Sequence, residues 1–193
     1  PQIRRHGLLT ASASVDLFDP PADTRAAILA DRRERSIPLE APGLGKLEVN
    51  DQIPLIMIAL ATCLDDDLAP SDWLAMLNMR VFFWPSEDAL DRLLSARMNR
   101  PRARDVLVFE TLSLARAHAA RLELCPINSG ATIRKAARRG MATFTPLTEL
   151  SYRDWRRKRG RSDQIVEVTL RGSLREPDAH LVRIDTHNPV SST

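Results

Sequence analysis

Apolar and polar positions follow two regimes along the chain. Helix signals dominate the first eighty residues, and compact β-type runs dominate the rest. Residues 2–9 read as the last turn of a helix, with Gly7 at the left-handed position that follows a helix end. The chain thus reads as opening in mid-element, with something upstream of it. A polar, Pro-containing loop follows through Asp19-Pro20-Pro21. Asp23-Thr24 caps a helix over about 25–33. Pro38, Pro42, Gly43 and Gly45 make 36–49 a loop, with a short strand at 46–49. Asn50-Asp51 caps a second helix with an apolar body at 55–63, and Asp65-Asp66-Asp67 ends it. Ser71 caps a short helix at 72–78.

Beyond this point the pattern changes. Arg80-Val81-Phe82-Phe83-Trp84 is a β-type run stopped by Pro85, and Ser86 caps a helix over 87–98. Residues 105–110 read as a buried strand and 112–120 as a short helix. Leu122-Glu123-Leu124 comes next, then a turn at Asn128-Ser129-Gly130. A strand is expected at 141–147 and a basic helix or loop at 151–161. Two late strands follow at 164–170 and 181–185. Helices first and strands later predict an α+β domain rather than βαβ repeats. One domain over 1–187 with a polar tail at 188–193 fits the length of 193 residues.

Composition narrows the class. With 44% hydrophobic and 27% charged residues, the chain has enough apolar surface for one core, which excludes a mainly disordered state. No apolar run is long enough to span a membrane. Two cysteines, Cys63 and Cys125, without a CxxC pair, argue against a disulfide scaffold and read as buried small hydrophobes. A reducing cytoplasm is the default compartment. There is no GxGxxG, no GxxxxGK[ST] and no GxSxG motif. His180 and His187 lie near Asp178 and Asp185, but without metal-ligand spacing they read as a solvated face, and no metal site is expected.

The net charge is +3, and every basic residue except Lys46, Lys135 and Lys158 is arginine. A GC-rich genome accounts for that bias, and so does phosphate recognition by guanidinium forks. Two basic clusters stand out. One holds Arg134, Lys135, Arg138 and Arg139. The other holds Arg153, Arg156, Arg157, Lys158, Arg159 and Arg161, interleaved with Tyr152 and Trp155. Such clusters form either a solvated basic face or a surface for single-stranded nucleic acid. Glu167 sits inside the apolar run 164–170. An acid there must face solvent, a cleft or a partner.

The order of these motifs resembles the ADP-ribosyltransferase fold, nearest to DarT-type DNA ADP-ribosyltransferase toxins. Ile165-Val166-Glu167-Val168 and Leu181-Val182-Arg183-Ile184 are similar to the late strand with a catalytic glutamate and the last strand of that fold. Ile3-Arg4-Arg5-His6-Gly7 looks like the turn after its first strand, which would then lie upstream. Arg32-Arg33 and Asp51-Gln52-Ile53-Pro54 resemble the double-arginine and acid-x-x-proline stretch of the DarT group. The chain also resembles an uncharacterised bacterial family with Asp-Gln-x-Pro (51–54), Leu-Asn-x-Arg-Val-Phe-Phe-Trp (77–84), Asn-x-Gly (128–130) and Arg-Gly-x-x-Thr-Phe (139–144) motifs.

The resemblance implies an α+β fold with helices mostly N-terminal and a split antiparallel sheet built mainly from later strands. It implies NAD as substrate and a nucleic-acid base as acceptor in a toxin or phage-defence setting, with an antitoxin protein as a partner. Glu167 would be catalytic. Arg33, or second Arg32, would hold the pyrophosphate, unless both are surface ion-pairing residues. Asn78, Arg80 and Asn128 would contact NAD, although Asn128 also suits a plain Asx-turn. Phe82, Phe83 and Trp84 read as core, with one free to stack on nicotinamide. Arg134, Arg138, Arg139, Arg156 and Arg157 would bind nucleic acid. The rival reading is a non-catalytic nucleic-acid-binding module on the same scaffold.

Overall fold

The structure is a computed structural model that describes residues 2–95, 103–133, 136–149, 151–159 and 164–188. Residues 189–193 of the tail expected at 188–193, and Arg134, Lys135 and Arg161, lie outside the described residues.

The N-terminal part is helical with one hairpin. It comprises α1 (Gln2–His6), α2 (Ala11–Phe18), α3 (Ala22–Leu29), β1 (Ile37–Ala41), β2 (Gly45–Val49), α4 (Met57–Cys63) and α5 (Pro70–Asn78). Gly7 follows α1 at φ +79, as expected for a helix end. Two expectations are corrected. The segment after Leu9 is not a loop throughout: Thr10 Oγ1 accepts from Ala13 N at 3.1 Å and starts α2. The 36–49 stretch is a hairpin, because Gly43 (φ +74) and Gly45 (φ +82) supply the left-handed backbone its turn needs. Val15, Phe18, Ile28, Leu39 and Val49 close a small core between α2, α3 and the hairpin.

The later part carries β3 (Arg80–Phe83), α6 (Glu87–Leu94), β4 (Arg104–Phe109), α7 (Thr111–His118), β5 (Leu122–Cys125), β6 (Thr145–Pro146), α8 (Tyr152–Arg159), β7 (Glu167–Arg171) and β8 (Leu181–His187). Ser86 Oγ accepts from Ala89 N at 3.2 Å and caps α6 as predicted. The strand expected at 141–147 is instead a short 3-10 turn, Met141–Thr143, and the two-residue β6. Four strands pair antiparallel in the order β3-β7-β5-β6, and β4-β8 is a separate antiparallel ribbon. The architecture is therefore α+β with antiparallel sheets.

Period-two alternation sorts the four-stranded sheet into two unlike faces. Val81, Phe83, Val168, Leu170 and Leu122 point to one core with Leu174 and Leu114. The residues between them, Arg80, Phe82, Glu167, Thr169, Glu123 and Cys125, share the opposite face, as the registers Phe82↔Thr169, Glu123↔Thr169 and Cys125↔Glu167 require. That face packs on α4 and α5 through Phe82, Cys125, Trp73 and Phe144.

A buried ion pair locks the polar face. Arg80 Nε and Nη2 donate to Glu123 at 2.8 and 3.1 Å, and Arg80 Nη1 donates to Met76 O at 2.6 Å. Thr169 Oγ1 also donates to Glu123, at 3.0 Å. The two charged side chains are only 8% and 6% exposed. Removing one member strands the other. Arg80→Met should therefore cost about 3–5 kcal/mol by urea denaturation. Arg80→Met with Glu123→Leu should recover most of that loss. A double variant less stable than the single one would contradict the pairing.

Candidate functional site

The start of β7 opens on a cleft of about 430 Å³. Its lining includes Glu167, Ser129, Asn128, Arg33, Asp51 and Trp84. Volumes of roughly 300–1,000 Å³ suit small-molecule ligands. The cleft lies between the α2–hairpin unit and the polar face of the sheet, so residues distant in sequence converge on it.

Glu167 is 5% exposed. One oxygen, Oε2, accepts from Ser129 Oγ at 2.7 Å and from Ser129 N at 3.2 Å. Burial pushes the carboxyl above the ordinary glutamate range. The two Ser129 bonds, the Cys125 thiol and the Arg139 guanidinium pull it partly back. The carboxylate is thus buried, oriented and shifted toward its protonated form.

Ser129 is held in turn from behind. Arg139 Nη1 and Trp73 Nε1 both donate to its carbonyl, at 2.9 and 3.2 Å. Arg139 also donates to Ala131 O (3.0 Å) and Ala137 O (3.1 Å). This clasp holds the carbonyls of the segment between β5 and the 3-10 turn. Arg139 is 2% exposed, and burial lowers its pKa. Its assignment to a nucleic-acid surface is corrected: a guanidinium enclosed by three carbonyls and the Trp73 ring cannot reach a phosphate.

Arg33 lies in the loop after α3, not on a helix surface, which lets it turn inward. Nη1 donates to Ile28 O (2.6 Å) and Asn78 Oδ1 (2.9 Å), and Nε to Asn50 O (2.8 Å). Burial holds its pKa down at about 10, against the opposing pull of Asp51. Its Nη2 makes no hydrogen bond among the described residues, and Arg33 is one of the residues that line the cleft.

Asn78 is 2% exposed and donates to Ile28 O and Leu29 O, each at 3.2 Å, so it positions Arg33. Arg80 borders the cleft, but its expected role as an NAD contact is corrected, because Glu123 and Met76 engage Nε and both terminal nitrogens. Arg32 does not line the cleft; it bonds Glu34 and Ile53 O. Asn128 is exposed at the cleft wall. Phe82 packs on the core and Trp84 is 37% exposed at the rim.

Arg138 is exposed and paired with Asp65. Arg156 and Arg157 are exposed on α8, with Arg156 6.0 Å from the Tyr152 ring and Arg157 bonded to Asp154. Trp155, read beside them as a stackable aromatic, is buried. The residue that sequence reasoning missed is Ser129. The signal for it is the Asn-Ser-Gly turn, in which the residue that reaches Glu167 is Ser129 and not Asn128. No helix among the described residues is long and apolar enough to cross a membrane.

The chain matches the family of unknown function DUF7002 over residues 1–181, and it belongs to that family. No curated protein and no solved structure matches it.

Glu167 gives a stability test. Its raised folded pKa means the fold favours the protonated acid. The stability that results is present below the unfolded value and is lost as pH rises through the folded one. Glu167→Gln should therefore melt higher than wild type at pH 8, with the gap closing toward pH ~4. A lower melting temperature at pH 8 would contradict the burial account.

Proposed function

We propose that the chain is an NAD-dependent ADP-ribosyltransferase whose reaction centre is Glu167. The observation that carries this reading is the buried carboxylate, fixed through one oxygen by Ser129, at the start of a late strand and facing a ligand-sized cleft. The resemblance of that strand to the glutamate strand of the ADP-ribosyltransferase fold gives the reaction class.

The reaction breaks the bond between nicotinamide nitrogen and ribose C1′. Nicotinamide leaves with the bonding electron pair and C1′ becomes oxocarbenium-like, as in glycoside hydrolysis. Glu167, ionised, accepts a hydrogen bond from the ribose 2′-hydroxyl and stabilises the positive charge as it develops. An acceptor nucleophile then bonds to C1′ and loses its proton to solvent. Arg33 Nη2 faces the pyrophosphate, as a single-point contact in place of a bidentate fork. Trp84 offers a ring at the rim, and Asn128 a side-chain amide.

A nucleic-acid base is the proposed acceptor. The support is α8, which presents Arg153, Arg156, Arg157 and the 66%-exposed Tyr152. Basic residues beside a stackable ring suit single strands. The same helix favours the second reading, a binding module without turnover.

Nicotinamide release from NAD, measured with and without single-stranded DNA and RNA, tests the proposal. Wild type should turn over. Glu167→Gln should lose about 10²–10³-fold in rate, the usual effect of removing one preorganised electrostatic group. Activity should rise with pH through a midpoint above the ordinary glutamate range, because only the ionised carboxylate serves. Oligonucleotide binding with neither NAD binding nor turnover would replace the enzyme reading by the module.

A further inference from the structure

A second, more open depression of about 520 Å³ lies where the first turn of α2 meets the end of β7. Three arginines border it, Arg121, Arg171 and Arg175. Asp16 is the one carboxylate in its lining, and it sits 3.3 Å from Arg25, so its charge is already shared.

The local backbone brings these groups together. Gly172, at φ +79, turns the chain sharply after β7, and its N–H donates to Met79 O at 2.8 Å. The turn is pinned to α2, since Thr10 N donates to Ser173 Oγ at 3.2 Å. Arg171 and Arg175 flank that pinned residue. Both are exposed, and their side chains make no ion pair or hydrogen bond among the described residues. Arg121 is fixed beside them: Nη1 donates to Ser173 O (3.0 Å) and Arg171 O (3.3 Å), and Nη2 lies 3.0 Å from His118 Nδ1.

Like charges gathered this way repel unless an anion lies among them. Guanidinium groups bind phosphate oxygens through charge-assisted hydrogen bonds. Ser12, in the first turn of α2, also borders the depression, so the positive end of the helix adds to the same field.

We propose that this depression is a phosphate-binding site. The phosphate comes either from the backbone of a single-stranded nucleic acid or from a small phosphate such as pyrophosphate. The site does not depend on the NAD reading. It does adjoin the cleft: Leu9, Ala11 and Ser14 border the cleft, while Thr10, Ser12 and Ala13 border the depression. The start of α2 therefore stands between the two, with one face on the cleft and the other on the depression.

The test uses the full chain with Arg171→Ala and Arg175→Ala combined. Arg4→Ala with Arg5→Ala, also exposed, is the charge-matched control. Melting curves establish that both variants fold. The probes are a fluorescein-labelled twelve-residue oligothymidylate, followed by anisotropy across a salt series, and inorganic pyrophosphate, followed by calorimetry. The Arg171/Arg175 variant should bind at least one probe about tenfold more weakly, the effect of two modest ionic contacts. If the oligonucleotide is that probe, the slope of log K against log salt should also fall by about 1.4, the share of two phosphates on a single strand. Loss confined to the oligonucleotide identifies the backbone as the source. Loss confined to pyrophosphate identifies a small phosphate. Equal loss in the control variant, or no binding of either probe to wild type, would overturn the proposal.

Discussion

The hydrogen bonds from Ser129 to Glu167 are the contact on which the site depends. A glutamate this deeply buried is costly to ionise, and an unheld carboxylate would turn toward solvent or protonate. Two donors from one residue, a backbone N–H and a hydroxyl, fix Oε2 within 3.2 Å. They work only because Ser129 itself cannot move. Trp73 and Arg139 both hold its carbonyl, and Arg139 is in turn tied to the end of α4, where Arg139 N donates to Cys63 O and its carbonyl accepts from Asp65 N. A chain of buried polar contacts thus runs from a helix end to the carboxylate.

The sheet supplies the second constraint. Its strands put apolar residues on one face and a polar set on the other, and the polar set had to be paired to be buried. Arg80, Glu123 and Thr169 pair among themselves, and Glu167 pairs with Ser129. Arg80 and Asn78, two positions apart in the sequence, are therefore both scaffold: one locks the sheet and the other orients Arg33. Arg33 differs because it lines the cleft and its Nη2 has no hydrogen-bond partner among the described residues.

Local signals in the sequence carried much of the fold. Ser86 before Glu87, Gly7 after a helix, the β-type run from Arg80 and the late strand at Glu167 each act within a few residues, and each is found close to where it was expected. What stayed illegible depends on distant partners or on composition that misleads. The segment before Asp19-Pro20-Pro21 looks polar, yet Val15 and Phe18 find Ile28 and Leu39 to pack against, and that stabilises α2. Gly43 and Gly45 suit a loop and a hairpin turn equally, and only the pairing of the flanking residues selects the hairpin. Arg139 looked like one more member of a basic run, and nothing local marks it as the residue enclosed by the carbonyls of 129, 131 and 137. The convergence of Arg33, Asn128 and Glu167 on one cleft was expected from a resemblance, not from any spacing in the chain.

The most direct test of the account is the titration of Glu167 itself, followed by carbon-13 NMR of the labelled side-chain carboxyl in wild type and in Ser129→Ala. The account predicts a midpoint above the ordinary glutamate range in wild type, because burial outweighs the hydrogen bonds. It predicts a further upward move in Ser129→Ala, where a hydroxyl that favours the ionised form is gone. A Glu167 that titrates like an exposed glutamate, or one indifferent to the loss of the Ser129 hydroxyl, would contradict it.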